Sequence, residues 1–578
     1  MCGIAGFSFQ KSNPKKSKEF LSIKKYLDHR GPDNSDFYRD NFISLVHTRL
    51  SIVDLDGGNQ PIINKKKVLV ANGEIYNDQK IRKEYSDFNF NTNSDCESIL
   101  ALYESHGIDG FSKLSGMYSF AIFDREREEI ILCRDIFGIK PLYYSVSEEG
   151  IMFCSEIKPF ILMKKNKGEI NNFKFNEFMQ LQYCSGSKTI FEGINRVLPG
   201  QIIIIKKGKI IRSFSNKLPK KIKHHNKLEH EYIDKCLSES VSNHLRSDVP
   251  YCIFFSGGID SMLLAHYVKK LNKKNITAFS IKFTQDDYIS DSEKIIKKFD
   301  FDLVKEEFKE EDFWNWILFA AYHIDEPIAD YAVLPTFKLA SVASKKFKVA
   351  LTGEGGDELF GGYGRYKKNQ RFLFKRKNLI PRGAFHKLFK YKFSNWDFYL
   401  KNNYNSHYVK NSKLTDFQIF DYKNWLPNDL LVKLDRCLMT YGMEGRTPFI
   451  DKTLFQKLFY TNNKNKINKG FAKYYIREFL SKEIPEYESF KKKRGFTVPI
   501  YDWIPNKIDQ LERLLLKVNF LKQYFSTKEI QFICDNVRIN KKFAKPLWHI
   551  IFFTSWYFVN IKKIDKKGNF FDVISRYI

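Results

Sequence analysis

Cys2 lies in the run Met1-Cys2-Gly3-Ile4-Ala5-Gly6-Phe7, where removal of the initiating methionine would leave it first. A free α-amine titrates near about 8 and a thiol near about 8.5, so a usable fraction of the amine is unprotonated at neutral pH. That amine can take the thiol proton, directly or through one water, and make a thiolate nucleophile without a histidine. A cysteine at position 2 by chance is the alternative, and partners elsewhere decide between the two. Arg49, in His47-Thr48-Arg49-Leu50-Ser51-Ile52-Val53, reads as a strand arginine suited to a substrate carboxylate. In Asn72-Gly73-Glu74-Ile75-Tyr76-Asn77 a side-chain amide and a glycine N–H can point together at a developing oxyanion. Asp95, opening the Ser98–Tyr103 helix, could cap that helix or hold a substrate ammonium. Singly, Arg49 could be a surface ion pair and Asp95 a cap. With Cys2 they describe a site for an α-amino acid with a carbonyl at its far end, which is glutamine.

A second set of residues suits a nucleotide. Cys252 to Ser261 runs from apolar residues into Gly257-Gly258, then Asp260 and Ser261, then a helically spaced stretch. Bare N–H groups at such a helix start suit phosphates. No GxxxxGK[ST] run occurs, so the usual γ-phosphate cradle is excluded. A glycine loop with Asp260 and no lysine fits pyrophosphate as a leaving group, which makes AMP the other product. An ordinary strand-to-helix turn is the bland alternative. Downstream, Thr352-Gly353-Glu354-Gly355-Gly356-Asp357-Glu358 is a second glycine-rich loop with three acids, whose bland alternative is a solvated turn.

MCGIAGF, HRGPD, HTRLSIVD, NGEIYN and SDCE resemble the class II glutamine amidotransferase domain, an N-terminal nucleophile hydrolase. With SGGIDS, nearly the whole chain resembles the glutamine-hydrolysing asparagine synthetases. The resemblance implies Cys2 as nucleophile, Arg49, Ile52 and Val53 on the glutamine backbone, Asn72 and Gly73 as oxyanion hole, and Glu74 and Asp95 on the α-amine. It implies Phe255, Ser256, Gly257, Gly258, Asp260, Ser261, Ile281, Thr352 and Gly353 as ATP contacts, with Asp260 and Asp357 near Mg²⁺ and pyrophosphate. Glu354 is the acid/base candidate, because ammonia attacking an acyl adenylate must shed a proton that a partly buried carboxylate can take. Lys433–Asp451 and Lys491–Pro499 resemble the carboxyl-terminal signatures, and Lys493 aligns with a lysine that would neutralise the separating phosphates. Departures at Met262, Thr352, Gly356 and Tyr441–Pro448 remove no charge needed for adenylation. They leave the acceptor open between aspartate and another small acid such as a sugar uronate.

These residues need two scaffolds. Residues 1–215 read as the glutaminase domain, which the resemblance implies to be an αββα sandwich, with Gln201–Ile205 and Ile210–Phe214 as its closing hairpin across Gly208-Lys209. A polar, basic linker follows over 216–230. From 231 to 578, strands alternating with helices predict a parallel-sheet α/β nucleotide-binding domain with ligand loops at the carboxyl ends of its strands.

The 578 residues are too many for one core, and 43% hydrophobic with 16% aromatic residues predicts packed globular domains. No run of 18 apolar residues occurs, and His549–Ile561 predicts a buried helix rather than a membrane span. With no export signal, a cytoplasmic protein without membrane contact is expected. Nine scattered cysteines without CxxC spacing argue against a disulfide frame or a zinc site. The formal charge of +29 would suit an anionic partner, yet the lysines are spread along the chain as in a biased proteome, which disfavours nucleic acid. Small molecules are the expected partners, and the resemblance implies a homodimer.

Overall fold

The computed structural model describes residues 2–163, 168–222, 229–272, 275–283, 289–370, 379–389, 392–401, 413–491 and 498–578. Twelve strands form the first half: β1 (Gly3–Phe9), β2 (Asn34–Arg39), β3 (Ile43–Arg49), β4 (Ile62–Asn64), β5 (Lys67–Ile75), β6 (Gly116–Asp124), β7 (Glu129–Arg134), β8 (Tyr143–Ser147), β9 (Gly150–Cys154), β10 (Ile194–Arg196), β11 (Gln201–Lys206) and β12 (Lys209–Ser215). They make two antiparallel sheets, ordered β10-β8-β9-β1-β3-β2 and β12-β11-β7-β6-β5-β4.

Alternation along each strand sorts side chains between layers. Ile4, Leu45, Val68, Val70, Ala121, Leu132 and Ile203 fill the space between the sheets. Leu69, Phe120, Ile131, Ile202 and Ile204 face outward under the helix Ser98–His106. Phe7, Phe9 and Met152 face the opposite way, with Phe20 and the helix Asn172–Leu181. Both faces of both sheets are covered, which is why β11 tolerates four consecutive isoleucines, all buried. The result is the αββα layering expected. The closing hairpin turns one residue earlier than expected: Lys207 and Gly208 take the positive φ values (46° and 67°), and Lys209 is already in β12. Two such residues fit the tight hairpin turn that matches strand twist.

The second half is built on β13 (Tyr251–Phe254), β14 (Ile276–Phe283), β15 (Phe301–Phe308), β16 (Val349–Leu351) and β17 (Glu444–Arg446). They are parallel throughout, in the order β15-β14-β13-β16-β17. The order reverses between β13 and β16, so the loops after these two adjacent strands open at a topological switch point, where α/β sheets bind ligands. Those loops are SGGIDS and TGEGGDE. The next-to-last helix, Ala544–Asn560, is buried almost throughout, as expected of this segment. Trp548 Nε1 donates to the Ala329 carbonyl (2.8 Å), and His549 Nδ1 meets the Met179 carbonyl of the first half (2.8 Å). No helix among the described residues is long and apolar enough to cross a membrane. All nine cysteines are buried and unpaired.

Candidate active site

Cys2 lies one residue before β1 and is buried. Its backbone nitrogen donates to Asn72 Oδ1 on β5 (3.0 Å), so the two sheets meet at this residue. The other end of the same amide, Asn72 Nδ2, is buried and has no hydrogen-bond partner among the described residues. A donor left open beside a nucleophile is what a developing oxyanion requires. Gly73 adds a second. Across the ladder, Tyr118 directs its N–H to Asp135 Oδ2 and its carbonyl to the Asp135 N–H, so the Gly73–Tyr118 pair is a non-hydrogen-bonded one. The Gly73 N–H therefore points away from β6, on the side where Ala71 N donates to Gln60 Oε1 (2.6 Å). A Cβ on Gly73 would come within 2.6 Å of Tyr118 Cα, so only glycine fits. Burial pushes the Cys2 thiol up, while a backbone hydrogen bond from Leu50 and the Arg49 charge oppose that shift.

Arg49 ends β3 and is buried. Its donors already organise the loop that follows: Nη1 to the Leu55 carbonyl (3.0 Å) and Asn59 Oδ1 (2.9 Å), and Nη2 to the Asp54 carbonyl (2.5 Å). A substrate carboxylate meeting Arg49 would share it with these groups. The wrapped loop sets Ile52 and Val53 beside the arginine, and the Ile52 carbonyl accepts from Asp248 N of the second half (3.0 Å). Asp95 does not cap the Ser98–His106 helix. It sits in a preceding 3₁₀ turn, and its Oδ2 accepts from Ile75 N (2.5 Å). Burial, with Asp78 nearby, pushes the Asp95 carboxyl up to about 6. Burial and the Asp95 charge push Glu74 well above the carboxylate range, against the pull of Arg446, whose Nη2 is 3.3 Å from Glu74 Oε1. Acids held so close to neutrality gain charge readily when an ammonium group arrives.

At the second centre the twin loops touch. Gly257 takes φ +71°, and its carbonyl accepts from Ser292 Oγ (3.1 Å) and Tyr487 Oη (3.2 Å). Ser261 Oγ donates to the Gly258 carbonyl (3.0 Å) and meets Ser256 Oγ (3.2 Å). Phe255, just past β13, and Ile281 on β14 are buried beside the loop. Thr352 N donates to the Arg446 carbonyl (2.9 Å), continuing β16 into the second loop. A Cβ on Gly353 would lie 3.0 Å from Asp260 Cβ, and one on Gly356 2.5 Å from Asp260 Oδ1. Asp260 and Asp357 converge on one cation that sequence reasoning did not single out: Lys473 Nζ is 2.5 Å from both Asp260 oxygens and 2.6 Å from Asp357 Oδ1. Lys473 is buried, with φ +56° at the start of the helix Tyr474–Glu483. One lysine in a chain with 96 basic residues carries no sequence signal of its own.

Glu354 lies 3.5 Å from Lys433 Nζ, a buried lysine that also donates to Asp330 Oδ2 (3.0 Å). Glu358, the third acid of the loop, is buried and accepts from Tyr363 Oη (2.7 Å), and burial with the Asp357 charge pushes it up to about 8. Lys493 lies outside the described residues. No group of three metal-ligating side chains occurs among the described residues. Two carboxylates gathered on one cation beside a glycine loop nevertheless suit Mg²⁺, which takes one or two carboxylates plus phosphate oxygens rather than an all-protein cage.

Comparison with known proteins follows the same division. Residues 1–215 match the glutamine amidotransferase domain model, and residues 232–557 match the asparagine synthase model. The chain is 28% identical to asparagine synthetase [glutamine-hydrolyzing] 1 of Bacillus subtilis over 97% of each chain. It is 27% identical to asparagine synthetase B [glutamine-hydrolyzing] of Escherichia coli, over 87% of this chain and 83% of that one. Among solved structures, the glutamine phosphoribosylpyrophosphate amidotransferase of B. subtilis, complexed with ADP and GMP, aligns at a TM-score of 0.28 and 16% identity, covering 44% of this chain and 61% of that chain.

Proposed function

The chain belongs to the asparagine synthase family, and from that premise we propose that it moves the amide nitrogen of glutamine onto the β-carboxylate of aspartate, activated by ATP. It is an enzyme, a carbon–nitrogen ligase of the glutamine-hydrolysing kind. Cys2 Sγ attacks the glutamine amide carbon, and the α-amine that removal of Met1 frees, at the nitrogen that meets Asn72 Oδ1, accepts the thiol proton. The oxyanion is received by Asn72 Nδ2 and the Gly73 N–H. Collapse breaks the carbon–nitrogen bond, releases ammonia and leaves a thioester that water hydrolyses. Glu74 and Asp95 hold the substrate ammonium, and Arg49 its carboxylate.

At the other centre the SGGIDS and TGEGGDE loops bind ATP. The acceptor carboxylate attacks the α-phosphorus, giving an acyl adenylate and pyrophosphate. Lys473 carries positive charge to the phosphates, and Lys493 is assigned the same task. Asp260 and Asp357 would hold Mg²⁺, which supplies further neutralisation of the separating pyrophosphate. Ammonia then attacks the acyl carbon, Glu354 takes the proton it sheds, and AMP leaves.

The observation that carries this reading is the unpartnered Asn72 Nδ2 beside Cys2, in the same chain as two interlocked glycine loops at a sheet switch point. Cys2→Ala tests it. Glutamine-dependent asparagine formation should vanish while formation from added ammonium persists with AMP and pyrophosphate as products; equal loss of both contradicts the assignment. An acceptor screen in the same assay separates aspartate from a sugar uronate.

A further inference from the structure

Two side chains from the second half touch residues that support Cys2 and the acids near it. The first is Asp435, on the helix Leu431–Met439. It holds Arg30 in a two-pronged ion pair, Nη1 to Oδ2 at 2.8 Å and Nη2 to Oδ1 at 2.9 Å. Arg30 Nε in turn donates to the carbonyl of Cys2 (3.2 Å), and Nη1 also meets Glu156 (2.9 Å). Arg30 has no exposed surface, and both acids are buried. Asp435 is fixed from its own side by Arg436 Nη1 (2.7 Å), whose Nε is held by Asp325 (2.8 Å). The second is Arg446 on β17. It is fully buried, with Nε on Glu444 Oε1 (2.6 Å), Nη1 on the His244 carbonyl (2.8 Å), and Nη2 at 3.3 Å from Glu74.

We propose that the glutaminase pocket is completed by the synthetase half, with Asp435 and Arg446 acting as positioning residues: Asp435 sets the nucleophile through Arg30, and Arg446 sets the ammonium-binding acid Glu74. The Arg30–Asp435 contact is a two-pronged charged pair removed from water, where loss of one partner leaves the other stranded, and Arg446 sets its positive charge 3.3 Å from Glu74, opposing the upward push on that acid. A glutaminase domain with these contacts missing would keep its motifs and lose their alignment. The two anchors act on different things. Asp435 governs where the thiol-bearing backbone sits and so acts on turnover. Arg446 governs Glu74 and so acts on glutamine binding.

This inference rests on reading Cys2 as the glutaminase nucleophile, so Cys2→Ala is run beside the variants in the full chain. Asp435→Asn should lower kcat for glutamine-dependent synthesis by about tenfold or more with KM for glutamine little changed. Arg446→Gln should raise that KM by about tenfold, with a smaller effect on kcat. Both should keep synthesis from ammonium within about twofold of the parent, which also shows that the variants fold. Asp435→Glu, retaining the charge, should recover part of the lost kcat. Glutamine kinetics matching the parent, or equal loss with glutamine and ammonium, would overturn the inference. If Cys2→Ala itself still used glutamine, the nucleophile assignment would fall instead.

Discussion

Asn72 does two jobs with one amide: its oxygen holds the Cys2 nitrogen and its nitrogen remains open. Asn72→Ala should therefore lower glutamine-dependent kcat by about 100-fold or more, the usual cost of one oxyanion donor, and spare ammonium-dependent synthesis. Steady-state kinetics with each nitrogen source checks this. The neighbouring acids predict a pH dependence. Asp95 is pushed up to about 6, and Glu74 lies higher than its usual range. A carboxyl with a raised pKa is neutral below it and charged above it, and only the charged form pairs with a substrate ammonium. On this account kcat/KM for glutamine falls as pH drops through about 6, and Asp95→Asn removes that limb of the profile. A profile unchanged by Asp95→Asn would contradict the role. Arg49, Asn72 and Asp95 could be singled out from residue type and neighbouring motif, and the structure sets Asn72 against Cys2. Lys473 was not: its meaning comes from burial and from Asp260 and Asp357, which are more than a hundred residues away in sequence.

The loops after β13 and β16 are in register because their strands are neighbours, Cys252 beside Ala350 and Ile253 beside Leu351. Their glycines are there for clearance. A side chain at Gly362 would collide with Asp357 and Lys473, and one at Gly356 with Asp260. Gly362→Ala should thus depress synthesis from glutamine and ammonium alike, by about tenfold or more, while Cys2-dependent glutamine hydrolysis persists. Loss of hydrolysis as well would mean the substitution acts on the whole fold. Strand alternation and glycine punctuation made both scaffolds readable in outline. Element edges were less so: the hairpin turn moved by one residue, and Asp95 proved to brace β5 rather than cap a helix. For Asp95 a hydrogen bond from the neighbouring strand decided the outcome over local propensity, and for the hairpin the two positive-φ residues Lys207 and Gly208 fixed where the chain turns.

Between the halves lies a seam of buried charge, Arg30 with Asp435 and Arg196 with Glu326, backed within the second half by Arg436 with Asp325. Asp325 Oδ2 also accepts from Ile157 N (2.5 Å) of the first half. Removing one partner of such a pair costs about 3–5 kcal/mol, whereas an exposed pair such as Lys16–Glu149 contributes under about 1 kcal/mol. Asp325→Ala should lower the thermal unfolding midpoint by several degrees and Glu149→Ala hardly at all; similar midpoints for the two would show that the seam is not structural. None of this seam was visible in sequence, because its partners stand more than a hundred residues apart and look like any others in so basic a chain. If one nitrogen passes between the two centres, isotope transfer will show it. With glutamine labelled with ¹⁵N at the amide, unlabelled ammonium in the buffer, ATP and aspartate, the account predicts labelled asparagine with one AMP and one pyrophosphate per product. Label diluted to the level of the bulk ammonium, or ADP in place of AMP, would contradict it.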